Sequence, residues 1–275
     1  MKSIMVQGTM SGVGKSLLTI GLCRIFKQDG RSVTPFKAQN ISSFSTVLKD
    51  GKRIASIQAM QAEAAGTKAK VEMNPILYQT NEKDCEIYLN GESFGKAGET
   101  SFSDEIQIEN INEAVSRLSK YYDTVVAEGS GSPVEINLKK DIANIETAKL
   151  LRAPILLVGD IERGGVFAQI VGTLALLDES ARKMVKGIVI NKFHGDPKYF
   201  ADGRKILEDI TGIPVVGVVP YTDVGLEEED CLFVNERKHH STTKNEREAE
   251  YEKIAALLRE HCDIKKIYEI LERGI

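Results

Sequence analysis

The sequence is short of the features that would commit it to a special class. Its 275 residues hold only 7 Pro beside 23 Gly, and 42% are hydrophobic against 28% charged. That composition excludes a disordered or collagen-like chain and leaves one large globular domain or two small ones. Positive charge is not in excess, since Lys+Arg 36 against Asp+Glu 40 gives a formal net charge of −4. No overall basic field exists to hold nucleic acid or an anionic membrane by counterion release, so neither is expected as a partner. The four cysteines (Cys23, Cys85, Cys231, Cys262) lack the paired spacing of a zinc or redox site, and the four histidines (His194, His239, His240, His261) supply no ligand cluster. A disulfide miniprotein is excluded, and free thiols in a reducing compartment are expected. The opening MKSIMVQGTMSG reaches glycine too early for a signal peptide, and no later run approaches membrane-spanning length. A soluble, cytoplasmic protein is the expectation.

What the chain does have is alternation. Ile4 to Gln7, Ser32 to Phe36, Thr124 to Ala127, Ile155 to Gly159, Gly187 to Ile190 and Val215 to Val219 are short apolar runs without polar alternation, as strands covered on both faces should be. Amphipathic stretches lie between them: Ser16 to Gln28, Ile108 to Lys120, Val166 to Leu177 and Tyr199 to Thr211. Strand, helix, strand in repetition predicts an α/β fold with a doubly wound, mainly parallel sheet. The acidic run Glu227 to Asp230 and the polar stretch 236–250 then break the pattern, and helical spacing resumes from Tyr251, with a break near Asp263. The expected organisation is a domain over 1–235, a polar linker over 236–250 and a docked helical appendage over 251–275.

In such sheets ligands bind beyond the carboxyl ends of the strands. After the first strand comes Gly8-Thr9-Met10-Ser11-Gly12-Val13-Gly14-Lys15-Ser16. A glycine-rich turn entering a helix presents backbone N–H groups to a phosphate, so Gly8, Thr9, Gly12, Val13 and Gly14 are expected to cradle one. Lys15 would reach the outer phosphates and the Ser16 hydroxyl would ligate Mg2+. Five residues separate Gly8 from Gly14, one more than the usual four. A helix start with convenient glycines would not explain a lysine planted in the turn.

Magnesium on a nucleotide needs hard oxygen ligands. Glu128 closes the strand Thr124 to Ala127 and is followed by Gly-Ser-Gly, which lets a ligand approach. Asp160, closing another strand, serves equally as a metal ligand or a helix cap. Asn191, also at a strand end, either offers a donor and an acceptor to an adenine edge or is a turn asparagine. Pro220 ends the last strand and completes the expected nucleotide-side residues.

The lengthened loop, with Glu128-Gly129 and Asn191 after their strands, resembles the dethiobiotin synthetase-like branch of P-loop proteins. More closely, Phe36-Lys37-Ala38-Gln39-Asn40, the run Gln58 to Gly66, Met73-Asn74-Pro75, the run Glu128 to Leu138, Asp141-Ile142-Ala143-Asn144, the run Asp160 to Phe167 and Asn191 to Asp196 are similar to the synthetase half of cobyric acid synthases, across about residues 3 to 232. That resemblance implies ATP-dependent amidation of corrin carboxylates, converting adenosylcobyrinic acid a,c-diamide to adenosylcobyric acid by successive amide formations. It assigns catalytic roles to Lys15, Lys37, Glu128 and Asp141, with ATP and Mg2+ as cofactors and a corrinoid and ammonia as partners. Lys37 would hold the substrate carboxylate and phosphoryl oxygens. Gln39, Asn40 and Ser42 suit the ring periphery. Asp141 and Asn144 would read the substrate or cap a helix beginning near Ile145, and Arg163 would clamp an anion or form a structural ion pair.

The same family carries a glutaminase half with a cysteine on a tight glycine-flanked elbow, and none of the four cysteines has that context. Glu248 to Leu271 resembles the family's closing helices, as if the glutaminase had been lost from between Asn235 and Glu246. Free ammonia, a separate glutaminase subunit or impaired amidation all remain open, as does a homodimer. The rival functional classes are an ATPase switch acting on a protein partner, whose second loop lysine is replaced here by Met10, a related amide ligase such as an a,c-diamide synthase, and an idle corrinoid-binding remnant.

Overall fold

The computed structural model describes residues 1–81, 84–100, 103–135, 141–223 and 243–275. The chain opens with strand β1 (Lys2–Gly8), helix α1 (Lys15–Gln28) and strand β2 (Val33–Phe36). An insert follows, comprising β3 (Gln39–Ser42), β4 (Ser45–Val47), β5 (Arg53–Ala55), α2 (Ser56–Ala64), β6 (Ile76–Thr80), β7 (Cys85–Leu89) and β8 (Glu92–Lys96). The alternation then resumes with α3 (Asp104–Leu118), β9 (Thr124–Glu128), α4 (Thr147–Leu151), β10 (Ile155–Asp160), α5 (Val166–Leu176) and α6 (Glu179–Met184). It closes with β11 (Val185–Phe193), α7 (Ala201–Thr211), β12 (Val215–Pro220), α8 (Lys244–His261) and α9 (Ile264–Arg273).

All six strands expected from the apolar runs join one parallel sheet in the order β12-β11-β10-β1-β9-β2. Their lack of alternation has the expected cause, because both faces are covered. Ile4, Val6, Val126, Val158 and Val189 pack against α1, α8 and α9, whereas Met5, Ala127, Leu157, Ile188 and Ile190 pack against α3 to α7. Helix α3 opens earlier than its apolar period suggests. Ser103 caps it and Asp104 and Glu105 fill its first turn, where the helix dipole favours negative charge.

The insert was not foreseen. It forms a second sheet, β3-β6-β7-β8, and a small β4-β5 ribbon. Gln39, Asn40 and Ser42, which follow the second strand in sequence, lie on β3, which inverts the usual rule: Asn40 and Ser42 are buried while Ile41 is exposed. The C-terminal boundaries also shift. Of the stretch 236–250 the described part is helical, since α8 starts at Lys244 behind a capping box between Thr243 and Glu246. The break near Asp263 is present, with Asp263 capping α9. Tyr251, Ile254, Leu258, Ile267 and Leu271 are fully buried, so α8 and α9 form part of the layer over α1. The acidic run Glu227 to Asp230 lies outside the described residues. Among the described residues no helix is long and apolar enough to cross a membrane.

Candidate functional site

The turn after β1 is built for a tight approach to its own backbone. Gly12 and Gly14 sit at φ 73° and 94°, the left-handed region that side chains disfavour. A Cβ on Gly14 would also stand 2.1 Å from Asn191 Nδ2. Gly14 caps α1, no side chain bonds the cap, and no acidic residue occupies the first turn, so the positive end of that helix suits an anion. Lys15 is buried, with Nζ 3.3 Å from Met10 O and 3.1 Å from Gly131 O, which arches the ammonium back over the turn. Thr9 extends the strand through its N–H to Val158 O (2.9 Å), and its hydroxyl donates to Gln169 on α5 (3.2 Å).

Three elements meet at Glu128. Its Oε1 accepts from Ser16 Oγ (2.9 Å) and from Lys37 Nζ (2.8 Å), and its Oε2 accepts from Gln61 Nε2 (2.5 Å). Glu128 and Lys37 are both buried. A buried ion pair is tolerable only when further hydrogen bonds satisfy the carboxylate, which is what Ser16 and Gln61 provide. Asn74 fixes the lysine's backbone, donating to Lys37 O (3.2 Å) and Ile76 O (2.9 Å). The Cys23 thiol is held protonated by burial and by the charge of Glu128. Ser16 and Glu128 thus offer two oxygen ligands 2.9 Å apart beside the phosphate turn, a donor set that fits a hard divalent ion. Among the described residues no group of three or more His, Cys, Asp or Glu side chains could hold a metal by itself.

Asp160 does not belong to this cluster. Glu128 is level with Val6 on β1 and Val158 is level with Gly8, so Asp160 stands four residues further along and two strands away. At about 4.8 Å between strands and 3.3 Å per residue the Cα atoms are on the order of 15 Å apart, too far to share an ion with Glu128. Its Oδ1 accepts from Glu162 N (2.8 Å), and its Oδ2 faces Lys192 (3.3 Å) and the exposed Arg163 (3.7 Å). Asp160 thus closes the turn at Glu162 and does not cap α5, whose N-cap is Gly165 with no side-chain bond, while Arg163 takes the ion-pair reading.

Asn191 Nδ2 donates 2.8 Å to Val13 O and so braces the phosphate turn from β11. Pro220 ends the edge strand β12 opposite Phe193. Asn144 Oδ1 accepts from Ser130 N (3.0 Å) and its Nδ2 donates to Ser130 O (2.8 Å), so it shapes the loop after Glu128. Asp141 Oδ1 accepts from Asn144 N (3.1 Å) and Nδ2 (3.0 Å), capping a π-helical turn, Ile142–Glu146, that leads into α4. Burial pushes the Asp141 carboxyl up to about 6, with Glu135 and Glu146 adding to the rise against the Asn144 bonds. Gln39 bonds Gln107 on α3, Asn40 bonds Gln58, and Ser42 bonds Phe44, so these three engage the protein's own groups.

Sequence reasoning missed Gln58, Gln61 and Asn74 as site residues. For Gln58 and Gln61 the signal was present in amides set three apart among the alanines of α2; Asn74, between Met73 and Pro75, carried no such pattern.

A parallel sheet whose first strand runs through a glycine-rich turn into a helix, with a lysine over the turn and a serine on a strand-end carboxylate, defines a P-loop nucleotide-binding protein. The chain belongs to the CobQ/CobB/MinD/ParA nucleotide binding domain family, whose model matches residues 4–229. It is 50% identical over 252 residues to a protein of Lachnoclostridium phytofermentans named cobyric acid synthase, covering 88% of this chain and 48% of that one. It is likewise 50% identical over 234 residues to a Clostridium botulinum (strain Kyoto) protein of the same name, covering 84% and 48%. The chain therefore spans about half the length of these curated relatives. Among solved structures, the signal recognition particle receptor FtsY of Elizabethkingia anophelis in complex with GDP aligns with 91% of this chain and 63% of its own at 17% identity, with a TM-score of 0.47.

Proposed function

We propose that this chain is the ATP-using part of an amide ligase that converts peripheral carboxylates of adenosylcobyrinic acid a,c-diamide to amides, giving adenosylcobyric acid. The meeting of Ser16, Lys37 and Glu128 on one carboxylate oxygen carries the reading, because it joins the phosphate turn to a cation at the end of the neighbouring strand β2. The name shared by the half-identical relatives supports the substrate.

The chemistry asks the site to bring one anion onto another. A carboxylate resists ammonia because its charge repels the nucleophile and oxide cannot leave. Phosphorylation by ATP turns that oxygen into a leaving group. The turn N–H groups and Lys15 hold the phosphates, and Lys37 neutralises the approaching substrate carboxylate and the transferring phosphoryl oxygens. Ser16 and Glu128 would hold a Mg2+ ion, which would supply further neutralisation of the phosphates. Asp141 is assigned the proton that ammonia sheds on attack. Its carboxyl is ionised above about pH 6, and its Oδ2 has no hydrogen-bond partner among the described residues. Ammonia arrives free or from a separate glutaminase.

The test is mass spectrometry of the a,c-diamide incubated with ATP, Mg2+ and ammonium, and again with glutamine in place of ammonium. Amide-bearing products with ammonium, and ATP hydrolysis that requires the corrinoid, are expected. Corrinoid-independent hydrolysis with an unchanged corrinoid mass would favour the switch class and overturn the reading.

A further inference from the structure

The glutamine-rich face of α2 has no part in the mechanism above, yet it ends on its central carboxylate. Asn40 Nδ2 donates to Gln58 Oε1 at 2.7 Å, Gln58 Nε2 to Gln61 Oε1 at 3.4 Å, and Gln61 Nε2 to Glu128 Oε2 at 2.5 Å. All four residues are buried. Three primary amides in a row are costly to bury unless each is bonded, and they contribute no apolar packing that leucine would not supply better.

The row has a direction that chemistry imposes. An ionised carboxylate only accepts, so Gln61 must turn its nitrogen to Glu128 and its oxygen away. That oxygen then accepts only a donor, which orients Gln58, whose oxygen in turn orients Asn40. The charge on Glu128 thereby sets the amide orientation of three residues as far as strand β3. Conversely, the amides hold Oε2, which turns Oε1 toward Ser16 and Lys37.

We propose that Gln61, backed by Gln58 and Asn40, is a positioning residue that holds Glu128 in the orientation in which it receives a divalent ion together with Ser16. This rests on the reading of Glu128 as the metal carboxylate. The middle link is the longest at 3.4 Å, so the influence must weaken along the row, from Gln61 to Gln58 to Asn40.

The test measures Mn2+ binding by the loss of free-ion electron paramagnetic resonance signal in the presence of ADP, alongside ADP affinity without metal and thermal unfolding. Gln61→Met and Gln58→Met keep side-chain length and remove the amide; Asn40→Asp removes the donor. Losing an outer partner of a metal ligand costs roughly 10–100-fold in affinity, and that weakening is expected for Gln61→Met, with smaller losses for Gln58→Met and then Asn40→Asp and metal-free ADP affinity unchanged. Wild-type Mn2+ affinity in Gln61→Met, in a sample where Glu128→Gln has lost it, would overturn the proposal and leave the metal reading intact. Equal Mn2+ affinity in wild type and Glu128→Gln would overturn the metal reading itself. If Gln61→Met fails to fold, the Gln58→Met and Asn40→Asp pair decides: wild-type Mn2+ affinity in both overturns the proposal, and graded weakening supports it.

Discussion

Ser16 Oγ and Lys37 Nζ stand on the same oxygen of Glu128, at 2.9 and 2.8 Å, although one residue lies in the first turn of α1 and the other follows β2. Glu128 closes β9, the strand that separates β1 from β2 in the sheet, which is why its side chain can serve both. Glu128→Gln is therefore expected to weaken Mg2+ dependence of turnover by at least the roughly 10–100-fold that losing an outer partner costs, while a neutral amide leaves Lys37 without its buried counter-ion. A Mg2+ titration of ATP hydrolysis in the presence of corrinoid checks this, and an unchanged midpoint would remove Glu128 from the metal site.

Asn191 braces Val13 O through its Nδ2, and a brace acts on any nucleotide without regard to its base. Asn191→Leu strands that buried carbonyl at about 1–3 kcal/mol, so nucleotide affinity should fall on the order of 10–100-fold. ATP and GTP should lose affinity in the same proportion. Calorimetric titration with both separates the roles, since a change in their ratio would restore Asn191 to the base site.

Asp141 carries a pH signature. Its folded value of about 6 lies above the ordinary 3.8, so between these the folded chain binds more protons than the unfolded one. Its contribution favours folding most at the acid end and is lost as pH rises through about 6. Asp141→Asn should thus gain stability relative to wild type as pH is raised from 4.5 to 8, measured by thermal unfolding, and should lose the acid limb of the amidation rate profile near pH 6. A wild-type profile with no limb there would take Asp141 out of the proton transfer.

The C-terminal layer reaches the phosphate helix directly. A Cβ on Gly21 of α1 would stand 2.3 Å from Leu258 Cδ1 and 3.0 Å from Ile254 Cγ2, while Arg24 of α1 pairs with Glu248 and Glu252 of α8. Gly21→Ala should destabilise the chain by about 1–3 kcal/mol through overpacking. Because Leu258→Ala makes room for that methyl, the double variant should lose less stability than the two singles together, beyond the roughly 0.3–0.5 kcal/mol expected of independent sites. Urea unfolding of the four proteins checks the coupling, and strict additivity would contradict the close packing of α8 on α1.

The main sheet was legible because each of its strands is apolar on both faces and each is punctuated by a polar or glycine-rich end. The phosphate turn was legible because its glycines and lysine are contiguous. Strand β3 was not, since Asn40 and Ser42 turn inward to bond Gln58 and Phe44, and an apolar-in rule reads that strand as a loop. The first turns of α8 were hidden for a related reason. They are held by ion pairs to distant residues, Glu248 to Arg24 and Arg247 to Glu63, which no local period records. Glu128 and Asp160 look alike as acids at strand ends; only the sheet order and register, absent from the linear chain, separate the ligand of Ser16 from the partner of Lys192.

The most direct measurement follows an oxygen atom. With the a,c-diamide labelled by 18O in its free carboxylates and supplied with ATP, Mg2+ and ammonium, transfer of the γ-phosphoryl group to the substrate should deliver one labelled oxygen to inorganic phosphate for each amide formed. Amide formation accompanied by unlabelled phosphate would show that ATP is spent elsewhere and would contradict the account.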